Sequence, residues 1–283
     1  TYHSANGRLM CHYCGHSEPA YERCPQCGGI MKHIGTGTQK VEEELHALFP
    51  GAKVLRMDTD TVGASHGHEK LLRQFEEEKI PILLGTQMVA KGLDFENVTL
   101  VGVLCADASL YIDNYRAPER TFSLLSQVVG RAGRGSKQGR AIIQTFTPEN
   151  EVIRAAAAQD YDAFYESEIR MRRLRRYPPF ADLFSFTVTG ADESRVIRAA
   201  KALRDALGYA VERREELEPL SIEVLGPAGA SVVKVNNRYR YRVFLVGKGC
   251  PALRRLVAEY LYAFYQHKEN RGLDIFADCN AIQ

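Results

Sequence analysis

The sequence lacks any apolar run approaching the roughly 18 residues that cross a bilayer, and no stretch reads as a signal peptide. It lacks a charge excess too. Lys plus Arg at 37 against Asp plus Glu at 35 leaves a formal +2, which argues against a strongly basic nucleic-acid coat protein. Low-complexity tracts, a collagen-like period and internal repeats are all missing, and 45% hydrophobic with 25% charged residues excludes a disordered tail. The pattern GxxxxGK[ST] occurs nowhere, so no P-loop is present to cradle phosphates. The only Asp-Glu dipeptide, Asp192-Glu193, opens a helix. Position 1 is Thr1 rather than Met, and we expect a piece of a larger protein. At roughly 150 residues per domain, the length implies about two domains.

Cysteines are few and unevenly spread. Of 7, four form Cys11-x2-Cys14-x9-Cys24-x2-Cys27, while Cys105, Cys250 and Cys279 stand singly among apolar neighbours. A two-residue gap lets both sulfurs of a pair reach one Zn²⁺ at about 2.3 Å, and two pairs complete a tetrahedron. Gly15 and Gly28-Gly29 follow the pairs, where such knuckles turn tightly. Unliganded thiols in so polar a segment would have no packing reason to exist. His12 and His16 read as surface residues beside a full thiolate set. The three single cysteines read as small buried hydrophobes.

Residues 1–35 are too polar and short to hold a core without a metal staple. From 36 onward helix and strand patterns alternate: helix 40–49, strand 53–57, helix 71–77, strand 80–84, strand 98–104, helix 119–132, strand 141–146. The run at 98–104 is nearly all apolar, as strands covered on both faces are. The alternation predicts a doubly wound parallel sheet. A charged helix over 160–176 ends at Tyr177-Pro178-Pro179-Phe180, where neither proline can continue it, and the domain boundary is placed there. The remainder predicts strand 183–188, helix 193–214, strands 222–225, 232–235 and 240–246, helix 252–264 and strand 273–276, a small α+β domain over 177–283.

Several segments carry chemistry. Thr36-Gly37-Thr38 opens a helix, where free N–H groups and the dipole suit a phosphate, while a plain N-cap at Thr38 is equally open. Gly35-x-Gly37 begins a dinucleotide fingerprint, but Lys40 stands where the third Gly belongs, which counts against a nucleotide-dependent Rossmann enzyme. Leu84-Gly85-Thr86-Gln87-Met88-Val89-Ala90-Lys91-Gly92-Leu93-Asp94-Phe95 follows a buried strand. Gln127-Val128-Val129-Gly130-Arg131-Ala132-Gly133-Arg134 closes a helix that sets Gln127, Arg131 and Arg134 on one stripe. Two glycines there cost about 1 kcal/mol each relative to Ala, which makes sense if something approaches the backbone closely. Two arginines delivered to a developing phosphate charge make an arginine-finger arrangement. Five arginines at 170, 172, 173, 175 and 176 spread around a helix, leaving a solvated face and DNA contact both open. Arg238, Arg240 and Arg242 alternate with Tyr239 and Tyr241, so cations and aromatics take opposite strand faces. A phosphate grip and an aggregation-blocking edge are both open for that strand.

The segments GTQMVAKGLDF and QVVGRAGR resemble motifs V and VI of superfamily 2 helicases. The wider arrangement GTGTQKVEEEL, RMDTDT, RAPERTF, YDAFYESEI and YPPF is similar to the replication-restart DNA helicases of that superfamily, over nearly the whole chain. The resemblance implies a RecA-like second helicase lobe over 36–176, preceded by zinc knuckles over 1–35 and followed by the C-terminal domain. It implies Arg131 and Arg134 as fingers on the ATP γ-phosphate beside Gln127, Gly92 and Asp94 against nucleotide, and Gly37, Thr38, Thr86, Gln87 and Lys91 along the DNA backbone. In this family the C-terminal domain binds branched DNA and the single-stranded-DNA-binding protein. ATP and Mg²⁺ sit mainly on a first lobe, which this sequence does not contain. Family members carry eight zinc cysteines in two nested sites, which implies that Cys11/Cys14 and Cys24/Cys27 serve different zincs with partners upstream. The spacing itself equally permits one shared zinc. The implied function is the C-terminal part of a cytoplasmic ATP-dependent 3′-to-5′ helicase, inactive alone. The rival is a non-catalytic zinc- and DNA-binding adaptor on a RecA-like scaffold.

Overall fold

The computed structural model describes residues 2–3, 8–10, 17–31, 37–58, 67–86, 89, 98–112, 114–130 and 139–280. They fall into two compact units, one of Lys32–Tyr111 and Ala117–Tyr165, the other of Thr1–Met31, Ile112–Arg116 and Glu166–Gln283. Most of the charged helix thus belongs to the C-terminal unit, ahead of the proline break expected to mark the boundary.

The N-terminal stretch is a small antiparallel sheet of β1 (Tyr2–His3), β2 (Arg8–Met10) and β3 (Ser17–Pro19). Arg8 Nε donates to Ser17 Oγ at 2.8 Å across it. None of the described residues from 17 to 31 is buried, in keeping with a segment that has no apolar core of its own.

The α/β lobe begins with α1 (Thr38–Leu48), β4 (Val54–Met57), α2 (Gly67–Glu77) and β5 (Ile82–Gly85). Strands β4 and β5 pair in parallel, Val54 opposite Ile82 through Met57 opposite Gly85. A side chain at Gly85 would sit 2.5 Å from the Met57 carbonyl oxygen, so only glycine closes this end of the pair. A second parallel pair joins β6 (Leu100–Val103) to β7 (Arg140–Ile143). The helices α3 (Asp107–Leu110), α4 (Ala117–Val129) and α5 (Glu151–Ala158) follow their strands, and α6 (Tyr161–Arg175) leads away. Ala106, Leu110, Phe122, Leu125, Ile153, Ala156 and Phe164 form the core, with the Phe122 and Phe164 rings stacked 4.1 Å apart.

Parallel pairing is as expected. Coverage of both faces at residues 98–104 is not found among the described residues. Val103 and Ile143 pack into the core, but Leu100 is 60% and Ile142 54% exposed on the other face. Alternating burial replaces the continuous burial that the apolar run suggested.

The C-terminal domain runs β8 (Asp182–Gly190), α7 (Glu193–Arg213), β9 (Glu223–Val235), β10 (Arg238–Gly247), α8 (Pro251–Gln266) and β11 (Asp274–Cys279). Its antiparallel sheet has the order β11-β8-β10-β9, the split βαββαβ arrangement of ferredoxin-like domains. Asp192 caps α7 by accepting from Arg195 N at 3.1 Å, and Asn236-Asn237, both at positive φ, supply a two-residue hairpin turn. Phe186, Val188, Val243 and Leu245 point to the helices and pack with Val196, Leu207, Leu253 and Leu256. Leu183, Phe244 and Val246 point the other way.

Candidate functional site

In parallel α/β sheets ligands collect beyond the carboxyl ends of the strands. Two predicted DNA-tracking positions meet at that edge. Asp58, next after β4, is buried and accepts from the Thr38 hydroxyl at 2.6 Å. Arg56 Nε lies 3.1 Å from the same carboxylate while its Nη1 reaches Glu42 at 2.7 Å. Thr86 follows β5, the parallel neighbour of β4, and its carbonyl accepts from Val89 N at 3.1 Å. The structure therefore brings Thr38 and Thr86 to one edge. It corrects the cap reading: Gly37 is the extended N-cap residue, and Thr38 lies inside α1 with its hydroxyl bonded to Asp58. Gln87, Lys91, Gly92 and Asp94 lie outside the described residues.

The other strand pair flanks α4, the helix that precedes Arg131 and Arg134 in the sequence. Gln127 is exposed in the last turn of α4, which ends at Val129. Gly130 N donates to Ser126 O at 3.0 Å, and a side chain at Gly130 would meet the Gln159 amide nitrogen at 3.0 Å and Ser126 O at 3.2 Å. The close approach inferred for this glycine is thus made by the protein's own Gln159. Arg131 and Arg134 lie outside the described residues.

Asp107 organises the carboxyl edge of this pair. It is 2% exposed and accepts from Thr147 Oγ1 at 2.7 Å, Phe146 N at 2.9 Å and Thr145 Oγ1 at 3.0 Å. Burial alone would raise its carboxyl, but these hydrogen bonds outweigh burial and hold it below the usual aspartate range. Buried Thr121 on α4 donates to Ser109 Oγ, which donates to Ala106 O, both at 3.1 Å. Cys105 adopts a positive φ of 52° and its N–H donates to Gln144 Oε1 at 3.2 Å. The buried-hydrophobe reading fails for Cys279 and holds in part for Cys250, which packs against the C-terminal core. Cys279 is exposed, Cys105 and Cys250 are half-buried, and the Cys250 sulfur serves α8 by accepting from Leu253 N at 3.5 Å.

Cys24 and Cys27 form a knuckle. Gly28 N donates to Cys24 O and Cys24 N to Gly29 O, each at 2.8 Å, with Gly28 at φ +71°. Backbone N–H groups of Cys27 and Gln26, then the Cys27 side chain, lower the Cys24 thiol. Donors aimed at sulfur favour the thiolate that metals need, so this pair fits a zinc knuckle. Cys11 and Cys14 lie outside the described residues.

The alternation on β10 matches the period-two pattern. Tyr241 faces the helices, where burial and its bond to Glu193 Oε1 at 2.8 Å push its hydroxyl far up, and Tyr239 packs on the same side under Lys234. The arginine side is largely engaged. Arg238 pairs with Asp274 and donates to Thr189 O at 3.2 Å, and Arg242 is buried opposite Thr187 and Ala228. The Arg240 side chain makes no hydrogen bond or ion pair among the described residues. Of the arginines on and just after α6, Arg172 is largely covered and pairs with Glu168 at 2.7 Å, Arg173 lies over the Phe180 ring, and Arg176 donates to Ser221 O at 2.7 Å, while Arg170, Arg173 and Arg175 are exposed. Asp58, Asp107 and Tyr115 are organisers that sequence reasoning missed. Asp58 stands in RMDTDT and Tyr115 just before RAPERTF, while Asp107 follows the apolar run at residues 98–104.

A parallel-strand lobe with its ligand edge, followed by a split βαββαβ domain, fits the C-terminal part of a helicase. The Helicase conserved C-terminal domain model matches residues 34–136, the Primosomal protein N C-terminal domain model 173–280, and the PriA DNA helicase Cys-rich region model 1–19. The chain belongs to the PriA family of replication restart proteins. It is 42% identical over 281 residues to the Replication restart protein PriA of Bacillus subtilis, covering 99% of this chain and 34% of that protein. Its counterpart in Synechocystis is 40% identical over 250 residues, covering 87% and 29%. That of Treponema pallidum is 37% identical over 265 residues, covering 93% and 39%. The chain thus spans about a third of the length of these relatives.

Proposed function

We propose that this chain is the second motor lobe, zinc knuckle and C-terminal domain of a cytoplasmic, ATP-dependent 3′-to-5′ DNA helicase that restarts stalled forks and initiates primosome assembly. Supporting this reading most directly is the match of residues 34–136 to a helicase C-terminal domain together with Thr38 and Thr86 at one strand edge. Thr38, Thr86, Gln87 and Lys91, with the Gly37 helix start, track the DNA backbone. Arg131 and Arg134 neutralise charge on the γ-phosphate, with Gln127 beside them and Gly92 and Asp94 against the nucleotide. ATP and Mg²⁺ are held mainly by a partner lobe bearing the P-loop. Cys24 and Cys27, with Cys11 and Cys14, hold zinc, which supplies the cross-link that a coreless segment needs. Arg240, with Arg238 and Arg242 behind it, faces DNA on the C-terminal domain, which also receives the single-stranded-DNA-binding protein and other primosome proteins. Among the described residues no helix is long and apolar enough to cross a membrane.

The test replaces the matching third of the Bacillus subtilis relative with this chain. Arg131→Ala in that chimera is expected to lower DNA-stimulated ATP turnover about a thousandfold, the scale of an arginine finger, with DNA affinity retained. Unchanged turnover refutes the finger assignment. The second reading is a non-catalytic zinc- and DNA-binding adaptor, and a chimera that binds forked DNA without hydrolysing ATP would support it.

A further inference from the structure

The chain leaves the lobe after Tyr111, places Ile112–Arg116 in the C-terminal unit, and re-enters the lobe at Ala117, the first residue of α4. Connecting segments ordinarily run over the surface. This one buries its aromatic residue. Tyr115 is 5% exposed and packs with Ala181, Leu183, Phe244 and Val246, on the sheet face opposite the domain's helices. Its hydroxyl donates to Asn280 O at 3.4 Å and accepts from Arg116 Nε at 3.1 Å. The Arg116 and Arg172 guanidinium groups lie 5.5 and 5.7 Å from its ring centroid, and the Tyr177 ring lies 5.7 Å away. A ring with its hydroxyl satisfied and two cations against it is a strong anchor. The receiving side is equally fixed, since Asn280 Oδ1 accepts from Leu183 N at 2.8 Å and Nδ2 donates to Asp182 at 2.6 Å. Within the segment, Asn114 Oδ1 accepts from Arg116 N at 2.8 Å and holds the turn closed.

Helix α4 starts directly after this anchor, with no linker between them. It is 13 residues long, with Gln127 in its last turn and Arg131 two residues beyond its end. An α-helix of this length carries motion at its first turn to its last. We infer that Tyr115 is a positioning residue that fixes the first turn of α4, the helix whose last turn carries Gln127. The arginine roles rest on the function proposed above; the anchor does not.

Two measurements separate them. In this chain, inserting Gly-Ser-Gly between Arg116 and Ala117 leaves Tyr115 seated and slackens the link. Amide exchange at Thr121 and Phe122 is expected to rise about tenfold or more, with Phe186 unchanged. Tyr115→Ala should speed the same amides, and Tyr115→Phe, which keeps the ring, should restore them. Unchanged exchange in both the insertion and Tyr115→Ala overturns the inference. In the chimera the insertion is expected to lower kcat about tenfold while KM for ATP stays within about twofold. If Arg131→Ala abolishes turnover and the insertion leaves kcat intact, the tether is wrong. If Arg131→Ala leaves turnover intact, the finger assignment fails and the tether is decided by exchange alone.

Discussion

In the C-terminal domain β8 and β10 run 9 and 10 residues and bury both faces along most of their length, whereas β6 and β7 in the lobe run 4 residues each and bury one. The long strands are held by side chains that face each other across the sheet and against α7 and α8. The short ones are held at their ends, by Asp107 over Thr145 to Thr147 and by the Thr121–Ser109–Ala106 relay. The difference separates two jobs. One domain is built around a continuous core between its sheet and helices. The other keeps its organising polar groups at the carboxyl edge of its parallel strands, where ligands of such sheets collect.

That contrast can be broken most easily from the inside. Phe186 is fully buried on β8, so Phe186→Ala is expected to cost about 3–5 kcal/mol, whereas Ile142→Ala on the exposed face of β7 should stay within about 0.5 kcal/mol. Denaturant unfolding followed by circular dichroism reads both, since the chain has no Trp. Comparable losses at the two sites would erase the distinction.

Asp107→Asn probes the polar clamp. Hydrogen bonds to a charged acceptor contribute roughly 1.5–3 kcal/mol each in net terms, and the isosteric amide retains some of them, so a loss of about 2 kcal/mol is expected. Because the folded carboxyl sits below its unfolded value, its contribution is present above the unfolded aspartate range near 3.9 and disappears as pH falls through the folded value. The Asn variant should therefore differ from the parent at neutral pH and converge with it in acid. A gap that persists unchanged in acid, once the folded carboxyl is protonated, would show that charge is not the source.

The smallest effect is expected at the surface of the C-terminal domain. Arg214 and Glu259 form a bidentate pair at 2.9 and 2.7 Å, with side chains 32% and 52% exposed. Arg214→Ala should cost less than about 1 kcal/mol, and the difference should shrink at high salt. A larger, salt-independent loss would mean that this rim contributes to the core after all.

Elements with long periodic patterns are legible in the sequence. Helix α7 is expected over 193–214 and is Glu193–Arg213, and β10 is expected over 240–246 and is Arg238–Gly247. Strand β9 reads as two because Gly226-Pro227-Ala228 looks like a turn. Instead the chain bends within one strand, and a side chain at Gly226 would lie 2.7 Å from Arg242 O. Helix α3 is too short for any period, and α5 escapes sequence reasoning although Asn150 caps it, with Oδ1 accepting from Val152 N at 3.0 Å. The metal pairs and motor motifs are visible because their chemistry demands fixed residue types at fixed spacing. Asp58 and Asp107 do not stand out, since their partners lie 20 and about 40 residues away along the chain. Tyr115 meets Asn280 across 165 residues, a contact that no local pattern encodes.

The central claim is that this chain is a motor part that needs a second lobe. Phosphate release measured with and without forked DNA, for the chain alone and for the Bacillus subtilis chimera side by side, tests it most directly. The account predicts no DNA-stimulated hydrolysis by the chain alone and clear stimulation in the chimera. Hydrolysis by the isolated chain, or a chimera that stays inert where the parent enzyme is active, would contradict it.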